Sequence, residues 1–304
     1  MRILIVGAGA IGGYFGGRLL EAGRDVTFLV RPGRAAQLAS DGLVLLSPRG
    51  DASLPRPATV LAQDLDEVFD LVLLSCKAYD LAGAMDAFAP AVGPATVVLP
   101  LLNGMAHMDA LDARFGAEKV LGGLCVISSS LDAQGRIVHA NTLHGITFGE
   151  RDGAASPRSL AIEAALSGAG FDLRRSAGIL QEMWEKWVFI AAAGGITCLL
   201  RAPVGDIVTA GAADLAGALL DECAAIAAAQ GYPPRAAFLE RTLGTLTEPG
   251  STFTASLMRD LERGAPVEAA HILGDLFRRG AGSYPVLRMA CAHLRAYEAR
   301  RARG

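Results

Sequence analysis

An apolar run at residues 3–6 leads directly into Gly7-Ala8-Gly9-Ala10-Ile11-Gly12, and apolar residues at helical spacing follow to Glu21. No other stretch restricts the fold as tightly. A G-x-G-x-x-G that leaves a strand and opens a helix has a physical purpose at each glycine. The first permits the tight turn, the second lets a pyrophosphate approach the backbone, and the third allows the helix to pack closely on the strand. The N–H groups at the helix start then attract the phosphate charge. Residues 7–12 are therefore read as a dinucleotide-binding turn.

The next strand, at residues 26–30, ends in Val30-Arg31. An acid about twenty positions after the turn would accept the ribose 2′-hydroxyl of NAD, whereas an arginine suits a 2′-phosphate. Arg31 thus points to NADP(H). Arg34 could share or take that role, and a solvated loop arginine is the plain alternative for both.

The same alternation continues through the first half. Residues 71–75 and 96–102 read as further buried strands, nearly all apolar as strands covered on both faces must be. Residues 81–89 read as a helix. This β-α-β rhythm predicts an α/β fold with a doubly wound parallel sheet. Residues 43–60, with Pro48, Gly50, Pro55 and Pro57, read as an irregular excursion with short strands. Residues 121–128, 136–140 and 145–149 suggest extra strands at the sheet edge. Past Arg175 the strands stop. Leu215, Leu219, Cys223 and Ile226 mark one helical face, ended by Gly231-Tyr232-Pro233-Pro234. Helical stretches are expected at 253–263, at 269–279 and after Pro285. The division is placed near residue 176, giving a Rossmann-type domain over 1–176 and an all-helical one over 177–304.

Composition narrows the partners. A chain of 304 residues that is 52% hydrophobic and 19% charged can bury a large core, which excludes a disordered tail or a disulfide-stapled scaffold. Lys+Arg number 28 against 31 Asp+Glu, with no basic footprint for nucleic acid. The longest strongly apolar run, 187–200, is shorter than the ~20 residues a membrane span needs. Five scattered cysteines without a C-x-x-C fit a reduced cytoplasmic protein. His139 and His144 have no companion ligands at metal-site spacing and read as edge-strand histidines.

Along nearly its whole length the chain resembles the ketopantoate reductase (2-dehydropantoate 2-reductase) family. The resemblance rests on residues 7–12, Arg31, Ser75-Cys76-Lys77-Ala78-Tyr79, Leu102-Asn103-Gly104-Met105, residues 135–139, Met183-Trp184-Glu185-Lys186, and the stretch from Ser256 to Glu268. It implies a Rossmann domain followed by a helical one, an NADP-dependent oxidoreductase acting on CH–OH groups, and a homodimer through the helical domain. It also implies roles for single residues. Lys186 would be the proton donor, Ser256 would bind the substrate carboxylate, and Glu268 would meet the nicotinamide end of the cofactor. Asn103 would line nicotinamide and substrate, and Lys77 would contact the cofactor.

Each of these residues also has a plain structural reading. Lys186 could form an i,i+4 surface pair with Glu182, although Trp184 and Trp187 flank it. Glu268 could be a helix-start carboxylate, Ser256 a solvated helix start, and Asn103 a turn residue. The chain departs from the family where Ile190, Gly194, Val204 and Phe253 stand in place of asparagines that hold the substrate. Small polar recognition weakens when such amides are lost. The expected substrate is accordingly a small 2-oxo acid or related ketone, more apolar or bulkier than ketopantoate, with Gly194 opening space. Oxidation of a 2-hydroxy acid or alcohol with NADP, and a non-catalytic NADP-binding redox sensor, remain as other readings.

Overall fold

The computed structural model describes residues 1–303. Two compact units divide the chain: Met1–Leu102 with His107–Ile179, and Asn103–Ala106 with the chain from Leu180 onward.

The first unit begins with β1 (Arg2–Val6), α1 (Ala10–Glu21), β2 (Asp25–Leu29) and α2 (Pro32–Asp41), followed by β3 (Leu43–Leu46), β4 (Ala52–Leu54) and β5 (Thr59–Val60). Then come β6 (Leu71–Leu74), α3 (Leu81–Phe88), β7 (Val97–Pro100), α4 (Ala106–Phe115), β8 (Gly122–Leu131), β9 (Ile137–Gly149), α5 (Pro157–Leu166) and β10 (Asp172–Arg175). A five-stranded parallel sheet runs β5-β2-β1-β6-β7. Every residue of β6 and β7 is buried, which is why those strands show no polar alternation. Strand order reverses at β1. The gap between the C-terminal ends of β1 and β6 is the switch point where such sheets bind ligands.

Residues 121–149 depart from the expected arrangement. Apart from a single bridge at β7, where the Leu121 N–H donates to the Val98 carbonyl at 3.0 Å, they do not extend the edge of this sheet. Residues 137–149 form one continuous strand, β9, paired antiparallel with β8 and in parallel with β3 and β10, and β4 joins through β3. This is a second sheet, and α1 lies between it and the first. Small residues on α1 allow both approaches. A Cβ at Gly16 would meet the Phe28 ring at 2.5 Å, and one at Gly17 would press on Leu45 at 3.0 Å. His139 and His144 are consequently buried in β9 and do not lie at an exposed edge. Their nitrogens hydrogen-bond to Ser47 and Tyr14, at 2.9 and 2.7 Å, which makes their burial affordable.

The second unit is helical: α6 (Ile179–Leu200), α7 (Val204–Thr209), α8 (Ala213–Ala229), α9 (Ala236–Leu246), α10 (Ser256–Glu262), α11 (Asp275–Arg279) and α12 (Pro285–Arg301). A π turn over Ala270–Gly274 leads into α11. By length and mean hydropathy of 1.3, α6 could cross a membrane, but 72% of that window is buried by the fold, as in a core helix. On α8, Leu219, Cys223 and Ile226 are buried as expected, while Leu215 is exposed. Burial pushes the Cys198 thiol up to about 12, consistent with a thiol used as a small core hydrophobe.

Candidate active site

The phosphate turn is shaped by what its glycines permit. Gly7 has φ +93°, a conformation that side chains rarely adopt. A Cβ at Gly12 would run into the carbonyl oxygen of Gly7 and the hydroxyl of Ser75, so only glycine allows α1 to sit this close to β1 and β6. A Cβ at Gly7 or Gly9 meets no atom within 4 Å. The turn is thus open on the side from which a pyrophosphate would approach, and α1 begins at Ala10 with Gly9 as its N-cap. These residues fit a dinucleotide phosphate.

Two arginines follow β2, and the structure separates their roles. Arg34 is half-buried. Its Nε donates to the carbonyl of Ala8 at 3.0 Å and its Nη1 to Gln37 and the carbonyl of Gly135, so it braces the turn from behind. Arg31 caps α2 with its side chain 81% exposed, and its Nη2 donates to Asp80 at 2.7 Å. Asp80 and Lys77 lie in the segment just beyond β6, and Lys77 is exposed. Residues 7–12, Arg31 and Lys77 therefore all belong to the C-terminal edge of the parallel sheet.

In the helical unit Lys186 lies on α6, a helix buried along most of its length. Met183, Trp184, Glu185, Trp187 and Val188 are all buried, whereas Lys186, Phe189 and Ile190 are half-buried. Spacings of three and four residues put those three side chains on one face. The neighbouring charge is already committed. Burial disfavours the Glu185 carboxylate, but the guanidinium and backbone N–H of Arg235 outweigh it and hold the carboxyl below its ordinary range. Trp187 donates its indole N–H to the carbonyl of Ile272 at 2.8 Å, tying this turn of α6 to the π turn.

The π turn opens just after Glu268, whose carbonyl accepts the N–H groups of His271 and Ile272. It also meets the Asn103-Gly104 turn. A Cβ at Gly104, which has φ +78°, would stand 3.0 Å from the His271 ring. Burial lowers the pKa of His271, with a hydrogen bond to the backbone of Asn103 among the smaller effects opposing it. The Asn103-Gly104 turn, the segment after Glu268 and the turn of α6 carrying Trp187 are thereby tied together through the His271 ring and the Trp187 indole. His271 escaped sequence reasoning; its only signal was a position three residues after Glu268. Ser256 is the exposed first residue of α10.

The four positions that depart from the family pattern divide into two pairs. Ile190 and Phe253 are half-buried, and the rings of Phe189 and Phe253 stand 6.0 Å apart. Val204 is fully buried. Gly194 does not open space, because Leu257 packs over it and would meet a Cβ at 3.2 Å. Phe189 is a second residue that sequence reasoning missed.

Comparison with known proteins agrees with this architecture. The family model "Ketopantoate reductase PanE/ApbA" matches residues 3–153, and its C-terminal counterpart matches residues 178–298. An oxidoreductase of Bacillus subtilis described as uncharacterised, YkpB, is 39% identical over 98% of this chain and 99% of its own length. A 2-dehydropantoate 2-reductase of Archaeoglobus fulgidus is 31% identical over 92% of this chain and 90% of its own length. The crystal structure of 2-dehydropantoate 2-reductase from Geobacter metallireducens superposes with a TM-score of 0.88 at 30% identity, covering 97% of this chain and 99% of that one. A Rossmann-like unit carrying an open phosphate turn, followed by a helical unit, is the architecture of this family, whose members are nicotinamide-dependent oxidoreductases. The chain belongs to the ketopantoate reductase family.

Proposed function

We propose that this chain is an NADPH-dependent reductase of a 2-oxo acid, with Lys186 as the proton donor. The observation that carries the reading is the position of Lys186, half-buried on one face with Phe189 and Ile190 of a helix whose other faces are largely buried. A lysine serving only solubility belongs on an exposed face.

When bound, the reduced nicotinamide supplies a hydride to the carbonyl carbon. Residues 7–12 hold the pyrophosphate through backbone N–H groups, Arg31 pairs with the 2′-phosphate, and Lys77 adds positive charge beside them. Asn103 and Glu268 orient the nicotinamide end. Ser256 holds the substrate carboxylate through its hydroxyl. The Lys186 Nζ donates a hydrogen bond to the ketone oxygen and passes its proton there as negative charge develops, the point at which such a group lowers the barrier most. In the reverse direction the same amine, deprotonated, accepts the proton of a 2-hydroxy acid.

Ile190 and Phe253 give this face methyl and aromatic carbon where the family presents amides, and the Phe189 ring lies beside Phe253. The preferred 2-oxo acid accordingly carries a bulkier or more apolar side chain than ketopantoate. A panel of 2-oxo acids followed by NADPH absorbance tests the reading. Turnover should be fastest with apolar or aromatic members. No turnover with any 2-oxo acid would refute the reductase, and ketopantoate as the best substrate would refute the apolar preference.

A further inference from the structure

Asp80 is placed where an aspartate usually serves the backbone. It is the N-cap of α3, a position from which the carboxylate ordinarily accepts an N–H of the next turn. It makes no such bond. Its Oδ1 instead accepts from Arg31 Nη2 at 2.7 Å, across 49 residues of sequence. Arg31 follows β2 and Asp80 follows β6, the two strands that flank β1 in the sheet. An exposed pair of this kind, with Arg31 81% exposed and Asp80 35%, adds little to stability. Its effect on whatever Arg31 binds is larger, because the carboxylate already claims one end of the guanidinium.

We propose that Asp80 sets the cofactor selectivity of this chain by competing with the 2′-substituent of the cofactor for Arg31. The proposal rests on the reading that Arg31 meets the ribose end. A 2′-phosphate must share the guanidinium with Asp80 and bears like charge to it, so Asp80 weakens NADP(H). A 2′-hydroxyl is a donor and Asp80 is an acceptor, so Asp80 favours NAD(H). In NAD-binding sheets this acceptor comes from the end of the second strand. Here β2 leads into Val30 and Arg31, and the carboxylate arrives from the neighbouring loop. The site thus carries both halves of the cofactor choice, and the preference for NADPH is weaker than Arg31 alone would make it.

The test uses the full chain and titrates NADPH and NADH separately by nicotinamide fluorescence, with wild type, Asp80→Asn and Arg31→Ala. Asparagine keeps the size and shape of aspartate without its charge, and the Asp80 side chain makes no capping bond that could be lost, so Asp80→Asn keeps the local fold. It should tighten NADPH about threefold and weaken NADH about threefold, raising the affinity ratio about tenfold, a change of the size exposed charge pairs produce. The gain for NADPH should shrink as salt is raised. An unchanged ratio in Asp80→Asn overturns the proposal. An unchanged ratio in Arg31→Ala overturns the reading on which it rests, so the two failures appear in different variants.

Discussion

The phosphate turn of the first unit and the Lys186 face of the second are built on opposite principles. The turn is made of backbone. Its N–H groups, the positive φ of Gly7 and the contact of Gly12 with the Gly7 carbonyl are backbone features, braced by the Arg34 side chain at the Ala8 carbonyl, so geometry and sequence motif coincide there. The Lys186 face is made of side chains displayed by a helix whose path is set by buried neighbours such as Trp187 and Val188. Ile190 and Phe253 are only half-buried, so a change at either need not disturb that path. A backbone cradle keeps one ligand chemistry, while a side-chain face can be rewritten for a new substrate on an unchanged fold.

The sharpest way to break this contrast is Lys186→Ala. If the face delivers the proton, kcat falls by ~10²–10⁴-fold, as loss of a general acid does, while NADPH affinity stays within about threefold. Stopped-flow turnover and a fluorescence titration on the same preparation decide it. Near-normal kcat would return Lys186 to the role of a helix-surface charge.

On the other side of the comparison, Gly9→Ala and Gly12→Ala separate room for ligand from room for folding. A Cβ at Gly9 meets no protein atom within 4 Å, so thermal stability should be unchanged while NADPH binding weakens tenfold or more. A Cβ at Gly12 strikes backbone, so stability should fall as well, by about 1–3 kcal/mol as overpacking does. Equal thermal shifts in the two variants would show that the turn is not open toward a ligand.

Phe253→Asn places an amide beside Phe189 on the face proposed to meet the substrate. Relative kcat/KM should move toward polar 2-oxo acids by a factor of about 10, the scale of a single apolar contact, with NADPH affinity unaffected. No shift would remove Phe253 from the substrate face.

The smallest effect expected is a pH dependence of stability. Burial, with Arg49 and His139 adding to it, lowers the pKa of His144, whose ring is held by the Tyr14 hydroxyl. His271 is lowered in the same way in the helical unit. Below about pH 6.5 the unfolded chain takes up protons that the folded chain refuses, so stability is fully present above that pH and declines as pH falls through the depressed folded value. His144→Gln should flatten, without abolishing, the fall of Tm between pH 7 and 5. A Tm profile identical to wild type would show that His144 is not held neutral.

Several elements could be read in the chain. The buried strands at β1, β2, β6 and β7 and the helix α1 lie within a residue or two of the apolar runs that announced them. Other elements left weaker marks. α2 carries Pro32 and Gly33 at its start and buries only Leu38, so few apolar residues announce it. α9 buries only Thr242 and Leu246. β10 reads Asp172-Leu173-Arg174-Arg175 and is a strand because β9 pairs with it, not by composition. The same cause misplaced β8 and β9, since nothing local tells a strand which sheet it will join.

The sequence by itself determined the dinucleotide turn, the alternation that makes a parallel sheet and the change to helices after it. All of these depend on interactions within a few residues. Tertiary structure alone decided that α1 lies between two sheets, that Leu257 fills the space above Gly194, that Arg34 braces the turn while Arg31 faces outward, and that Asp80 reaches Arg31. Those outcomes depend on which distant segments compete for the same volume or the same hydrogen-bond donor, and only the packed chain resolves that competition.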